Sequence, residues 1–365
     1  MKTDWDAAGT SRLLRGAAAI NANSRFSRDI VARRCPEAAS VPVVYYGAPL
    51  SVPGTEPMQP LPMPRPYILC TARLAEYKGQ DVLAMAFAEL VASGCDVHLV
   101  LCGADHSQGG LQSFVRALGL ESRVHWVGQR PHEEVLALMR GCLFFVLPSR
   151  RESLGGALIE AMAAGKAVAA SRVGGILELV RDGIEGLLVE PADVKGLTEA
   201  LRRLWDDAGL RERLGRAGQV RSREFSWEAA VDAYFRDYHG LTDSGLNTAF
   251  VMWDDASDAT ARAYLGNLAV VMRRRALPFI TCAWREDRCE PFRTEQDGRL
   301  LFRLGLPEGT VPELLNAALV LAQLWWIART EGVAVWHVFL LRYRRLEGLL
   351  WFRGLSKPWL VVTLA

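Results

Sequence analysis

Short apolar runs alternate with stretches whose apolar residues recur at helical spacing, and this alternation continues through most of the chain. Strands followed by helices of that length call for parallel sheets covered by helices, because a parallel crossover needs a connection long enough to hold one. The pattern is clearest after the Pro-rich stretch 52–66, which reads as a linker. Strands are predicted at 67–70, 97–102, 124–127, 142–148 and 167–171. Between them, helices are predicted at 79–93, 111–118, 133–140 and 156–164, the first with Val82, Leu83, Ala86, Phe87 and Leu90 on one face. A loop at 183–191 precedes a further helix at about 195–207, which completes a doubly wound α/β domain. An amphipathic helix at 227–238 follows, with Ser226 as its N-cap.

After that helix the pattern restarts. Strands are predicted at 248–253, 277–283, 300–304, 333–337 and 358–364, with Asp297–Gly298 as a hairpin turn before the third. Helices are predicted at 258–275, 312–328 and 341–352. At the other end of the chain, 17–21 reads as a strand, 24–34 as a helix and 42–46 as a strand, too few elements to make a domain.

Composition excludes several classes of protein. The 43 Lys+Arg nearly balance the 41 Asp+Glu, so nucleic acid is not expected as a partner. The seven cysteines, Cys35, Cys70, Cys95, Cys102, Cys142, Cys282 and Cys289, are odd in number and lack CxxC spacing. They read as reduced residues of a cytoplasmic protein, with neither a disulfide framework nor a metal site. The first 15 residues carry no apolar stretch of the signal-peptide kind. The longest near-apolar run, 317–328, falls short of the about 20 residues that span a bilayer. The chain is therefore expected to be soluble or at most peripheral.

The residues that point to chemistry lie in 148–162, Pro-Ser-Arg-Arg-Glu-Ser-Leu-Gly-Gly-Ala-Leu-Ile-Glu-Ala-Met. A buried strand ends there, a short loop carries Glu152, and Gly155 and Gly156 open a helix that carries Glu160 in its second turn. Open α/β sheets bind ligands at the carboxyl ends of their strands. The free N–H groups of a glycine-led helix N-terminus suit a diphosphate. A carboxylate one to two turns into the helix can reach a ribose diol, and one in the preceding loop can reach a sugar hydroxyl. That layout fits a nucleoside-diphosphate sugar. The spacing alone also fits an acidic residue near a helix start and an ordinary helix-face glutamate.

In these residues the sequence resembles the retaining glycosyltransferases of family 4. The resemblance covers nearly all of 67–240 and takes in Thr71-Ala72-Arg73-Leu74, Lys78-Gly79, Val127-Gly128, Gly174-Gly175 with Glu178, Gly183, Gly186 and Phe225-Ser226-Trp227. It implies that Arg73 and Lys78 grip the donor diphosphate, Glu152 holds the donor sugar and Glu160 holds the ribose. Gly155 and Gly156 would offer backbone N–H groups, with Leu154 beside them. Gly128 and Arg130 would lie against the base, mostly through backbone. Where the family often has Gly-Phe-Gly after the first Glu, Ser153-Leu154-Gly155 stands here, which leaves donor choice open. No metal and no cofactor is implied besides the nucleotide-sugar donor.

The family is similar to the two-domain GT-B architecture, which implies an α/β fold of two Rossmann-like domains. Residues 61–225 form the complete donor domain in this reading, and 226–240 a crossover helix. Residues 1–60 resemble the last part of an acceptor-type domain with its linker, and 241–365 resemble the first part of one. Either the chain is circularly permuted and the two ends fold together, or two partial enzymes are joined and each needs a partner, as in an oligomer or a domain-swapped dimer. His337 matches a histidine at the end of a family strand and is a candidate catalytic group as well as a structural one. The family's other acceptor-side histidine falls at Ala365, and Asp254-Asp255-Ala256-Ser257 replaces its glycine-rich loop. The basic, aromatic segment 342–352 reads as a sheet-covering helix or as a peripheral membrane contact toward a lipid-linked acceptor. The function implied is hexose transfer with retention, to a glycan, lipid-linked or small-molecule acceptor. The rival is a silent nucleotide-sugar binder that requires a partner chain; a nucleotide-sugar epimerase shares this fold as well.

Overall fold

The computed structural model describes residues 19–33, 36–45, 47 and 62–239, together with six strands between 248 and 364. It divides into two compact units, one made of Met1–Tyr45 with Trp227–Ala365 and the other of Tyr46–Ser226. The described chain opens with β1 (Ala19–Ala22) and α1 (Arg25–Ala32). Ser24 caps α1, its Oγ accepting from the Ser27 N–H at 3.0 Å, which satisfies one of the four donors a helix start leaves free.

The central unit runs β2 (Tyr67–Thr71), α2 (Gln80–Ala92), β3 (His98–Cys102), α3 (Gly110–Ala117), β4 (Val124–Gly128), α4 (His132–Gly141), β5 (Phe145–Leu147), α5 (Gly156–Ala163), β6 (Val168–Ser171), α6 (Ile176–Leu179), β7 (Gly186–Val189), α7 (Val194–Asp206) and α8 (Ala208–Ser222). Its six strands are all parallel, in the order β4-β3-β2-β5-β6-β7. Every residue of β2 is buried, as a strand covered on both faces must be. Ile68, Cys70, Leu99, Leu101 and Val146 from the strands pack with Leu83, Phe87 and Leu90 of α2 and Leu201 and Leu204 of α7. Each such side chain contributes roughly 1.5–3 kcal/mol of burial. Strand order reverses between β2 and β5, where Leu69 lies opposite Phe145, and this is the switch point at which open sheets leave a crevice.

The second unit has α9 (Trp227–His239), β8 (Thr248–Met252), β9 (Phe279–Trp284), β10 (Arg293–Gln296), β11 (Arg299–Leu304), β12 (Val335–Leu340) and β13 (Trp359–Leu364). Its sheet has the order β1-β13-β12-β8-β9-β11-β10. β1 pairs in parallel with β13, from Ala19 opposite Val361 to Ala22 opposite Leu364. β10 pairs antiparallel with β11, Gln296 opposite Arg299, as the Asp297–Gly298 dipeptide predicts. From β8 the sheet grows one way through β9 and β11 and the other way through β12, β13 and β1.

Several predicted elements differ. The strand predicted at 42–46 is a single bridge, Val43 to Ala22, with the Val44 N–H donating to the Ala22 carbonyl at 2.8 Å. The strand predicted at 142–148 contracts to Phe145–Leu147. The predicted loop 183–191 contains β7, and α6 and α8 were not anticipated. In α8, Gly215 and Gly218 look like helix breakers but allow close packing on α5. A Cβ on Gly215 would stand 2.3 Å from the Gly165 carbonyl oxygen, and one on Gly218 3.1 Å from the Met162 Cγ. The strand predicted to end at His337 continues to Leu340, so His337 is the third residue of β12, opposite Phe250 and Val361. The predicted helices at 258–275, 312–328 and 341–352, together with Asp254–Ser257 and Ala365, lie outside the described residues. Among the described residues no helix is long and apolar enough to cross a membrane.

The packing of α8 predicts that Gly215→Ala is destabilising despite the higher helix propensity of alanine. Overpacking against backbone of this kind typically costs about 1–3 kcal/mol. A chemical denaturation curve should show a lower midpoint with an unchanged slope. An unchanged midpoint would remove the close-approach explanation.

Candidate functional site

The ends of β2 and β5 lie side by side at the switch point, and the loops that leave them carry half of the predicted site residues. The β2–α2 loop holds Arg73 and Lys78, and the β5–α5 loop holds Glu152. Lys78 Nζ donates to Glu152 Oε2 at 2.6 Å, and Ser149 Oγ donates to the same oxygen at 3.3 Å. Both partners are largely enclosed, with side chains 14% and 11% exposed. Arg73 is exposed, its carbonyl receives the Gln80 amide at 2.9 Å, and its guanidinium has no ion-pair partner among the described residues.

Arg150 ties the two loops together. Its Nη1 donates to the Glu76 carbonyl at 2.6 Å and to Asp81 Oδ1 at 2.7 Å, and its Nη2 donates to Asp81 Oδ2 at 2.6 Å. The backbone N–H of Arg150 also donates to the Tyr77 carbonyl at 2.8 Å. Such a two-pronged guanidinium–carboxylate pair fixes orientation as well as distance. Partial burial works against ionisation of Asp81, but the hydrogen bonds and charge of Arg150 hold its carboxyl below the usual range. Gly79 stands between these loops at φ +70°, and a Cβ there would meet the Pro148 carbonyl oxygen at 2.1 Å. Only glycine supplies both the left-handed backbone and the room.

The glycine-led helix start is present as read from the sequence. Gly155, at φ +97°, precedes α5, and Gly156 is its first residue. Leu154 is 1% exposed, so it belongs to the core. Gly128 ends β4 at φ +67°, and its carbonyl accepts from the Gly103 N–H at 2.9 Å. Arg130 is tied back to its own strand end and helix, with Nε on the Val127 carbonyl at 2.7 Å and Nη1 3.5 Å from Glu134. His337 belongs to the other unit.

Glu160 faces His132, its Oε1 3.7 Å from the imidazole Nε2, and each side chain is about a fifth exposed. Burial pushes the Glu160 carboxyl up from 4.5 to about 7. Burial also lowers the His132 imidazole, partly opposed by the charge of Glu133. His132 and Arg150 were missed by the sequence reading. The signals available were faint: a histidine directly after Pro131 at a helix start, and an arginine pair before Glu152. Burial also pushes Cys70 and Cys142 up to about 12 and Cys102 to about 11, which makes them unreactive thiols. Among the described residues no cluster of His, Cys, Asp and Glu could hold a metal ion.

Residues 56–221 match the family model described as Glycosyl transferases group 1. The D-inositol 3-phosphate glycosyltransferase of Corynebacterium aurimucosum is 33% identical over 220 residues, covering 56% of this chain and 52% of that protein. The alpha-D-kanosaminyltransferase of Streptomyces kanamyceticus is 34% identical over 169 residues, covering 46% of this chain and 44% of that protein. The chain thus spans about half the length of these curated relatives. Among solved structures, sucrose-phosphate synthase from Thermosynechococcus elongatus superposes with a TM-score of 0.57 at 27% identity, covering 64% of this chain and 60% of that one. The HepE protein of Anabaena, crystallised with UDP-glucose, superposes with a TM-score of 0.51 at 25% identity, covering 61% and 63%.

The buried carboxyl of Glu160 has a consequence for stability. Its folded form keeps its proton to about pH 7 while the unfolded form releases it near 4.5. The unfolded state therefore binds fewer protons across that window, and the fold loses stability as pH rises through it, by on the order of 3 kcal/mol at the top. Glu160→Gln removes this penalty. Its melting temperature should exceed that of the natural chain at pH 8, with the difference nearly gone by pH 5. An equal difference at both pH values would contradict the burial of an ionising carboxyl.

Proposed function

We propose that this protein is a retaining glycosyltransferase that moves a hexose from a nucleoside-diphosphate sugar to a glycan, lipid-linked or small-molecule acceptor. The observation that carries the reading is the meeting of Lys78 and Glu152 at one strand-end crevice, next to the glycine-led start of α5. In this reading the diphosphate sits against the Gly155–Gly156 backbone N–H groups, and Arg73 and Lys78 offset the charge that grows on it as the glycosidic bond breaks. Glu152 orients the donor sugar through its hydroxyls, with Lys78 and Ser149 fixing the carboxylate. Glu160 takes the ribose diol, and the backbone around Gly128 and Arg130 faces the base. Two cations and a helix end supply the positive charge the leaving group needs, so we assign no metal to the step. The matched family model and the nucleotide-sugar complex of HepE support the donor class. His337 is left out of the transfer step, since ligands of open sheets gather at strand ends and it stands mid-strand. The buried, unreactive thiols support a reducing, cytoplasmic setting.

We further infer that residues 1–60 and 241–365 make one acceptor-type domain in circularly permuted order. The parallel pairing of β1 with β13 supports it, because the element nearest the chain start then fills the position that follows the last strand. Under limited proteolysis, a stable product should retain both chain ends after cleavage near residues 240–247. Rapid loss of everything after 245 would favour a fusion of two partial enzymes.

Transfer is tested on the purified full chain with UDP-, GDP- and ADP-glucose, read by nucleotide diphosphate release. Lys78→Ala should lower kcat by about a hundredfold or more, the usual scale for losing one charge-stabilising donor, and EDTA should change nothing. Nucleotide binding with no turnover in any condition would leave a silent binder instead. Loss of activity in EDTA, restored by a divalent cation, would overturn the metal-free assignment.

A further inference from the structure

His132 is the first residue of α4, directly after the β4 strand-end loop, and its side chain reaches across to α5. Its Nε2 is buried and makes no hydrogen bond. The nearest charged group it faces is Glu160, at 3.7 Å, beyond hydrogen-bond range. On its own helix, Glu133 lies next to it and Glu134 is engaged with Arg130. A buried ring nitrogen with no partner is costly to keep. Here it faces the carboxyl that, in the proposed function, accepts the ribose hydroxyls.

We propose that His132 is a positioning residue for Glu160, donating its Nε2–H to the carboxylate when Glu160 engages the ribose diol. The inference rests on the reading of Glu160 as the ribose residue. A carboxylate that receives two ligand hydroxyls needs its remaining lone pairs held, or it can rotate away from the diol. An imidazole N–H from the neighbouring helix holds it from behind, out of reach of the ligand. The observed gap is short enough for a rotamer adjustment to close, and contacts of this kind tighten when a site is loaded. No bond forms or breaks. His132 sharpens the site's preference for a ribose over a sugar lacking its hydroxyls, without touching the nucleotide itself.

The test is a comparison of UDP, GDP and ADP with their 2′,3′-dideoxy counterparts, by calorimetric titration of the full chain. In the natural protein the ribonucleotide that binds should do so more tightly than its dideoxy form. His132→Ala should lower ribonucleotide affinity about tenfold, the scale of one hydrogen bond to a charged group, and leave dideoxynucleotide affinity unchanged. His132→Gln, which keeps an N–H donor, should restore most of the preference. Melting temperatures without nucleotide verify that both variants fold. If the natural protein binds no nucleotide, or binds both forms equally, the ribose reading of Glu160 fails and this inference with it. If it discriminates and His132→Ala discriminates equally well, only the role of His132 fails. A uniform loss for both nucleotide forms would mark His132 as merely structural and overturn the proposal.

Discussion

Parallel pairing of β2 with β5, Leu69 opposite Phe145, brings together two strand ends whose loops carry groups separated by 74 residues in the chain. Every other feature of the site follows from that adjacency. Two loops leaving neighbouring strands would diverge if each were held only by its own helix. Arg150 prevents this by gripping Asp81 and the Glu76 carbonyl on the far side of the junction. Gly79 lets the backbones close to a distance no side chain would permit. Lys78 and Glu152 then meet in a largely enclosed space. An ion pair of that kind is weak support for folding, because desolvation offsets much of its attraction. Its significance is that a cation and a carboxylate from two different loops are held together at the strand-end crevice.

Glu160 works against the fold in a related way. Its carboxyl sits on a helix otherwise lined by Leu158, Ile159, Ala161 and Met162, all buried, and burial raises its proton affinity. A sequence selected only for stability would place an apolar or amide side chain there. Local conflicts of this sort are where function departs from good packing. The unpartnered nitrogen of His132 beside it is a second conflict on the same spot. Two unfavourable groups facing one another are less costly together than apart once a ligand brings them into contact.

Much of the architecture was legible in the chain. The five strands predicted between residues 67 and 171 all occur, because a fully covered parallel sheet demands near-continuous apolar runs such as Tyr67–Thr71 and His98–Cys102. Glu152, Gly155 and Gly156 could be placed because loop and helix start are contiguous there. Helix α8 escaped because Gly215 and Gly218 signal a break locally, while the contacts that explain them, Gly165 and Met162, are some fifty residues earlier. β7 escaped because four residues after a glycine turn are too few for a periodic signal, and its place is decided by pairing with β6. His132 and Arg150 escaped for the same reason: each matters through a partner on another element.

The sequence by itself determined what is local: the alternation of elements, the caps, the glycine-led helix start and the identities of the charged residues beside it. Propensity, periodicity and N-terminal helix chemistry act over a few residues, so they can be read from a few residues. Only the tertiary structure decided which of those charges meet. It joined Lys78 to Glu152, locked both loops through Arg150, and set His132 against Glu160. It also laid β1 beside β13, although nearly the whole chain separates them. Strand order and helix packing are fixed by burying apolar surface between distant segments, and that free energy has no signature at any single position.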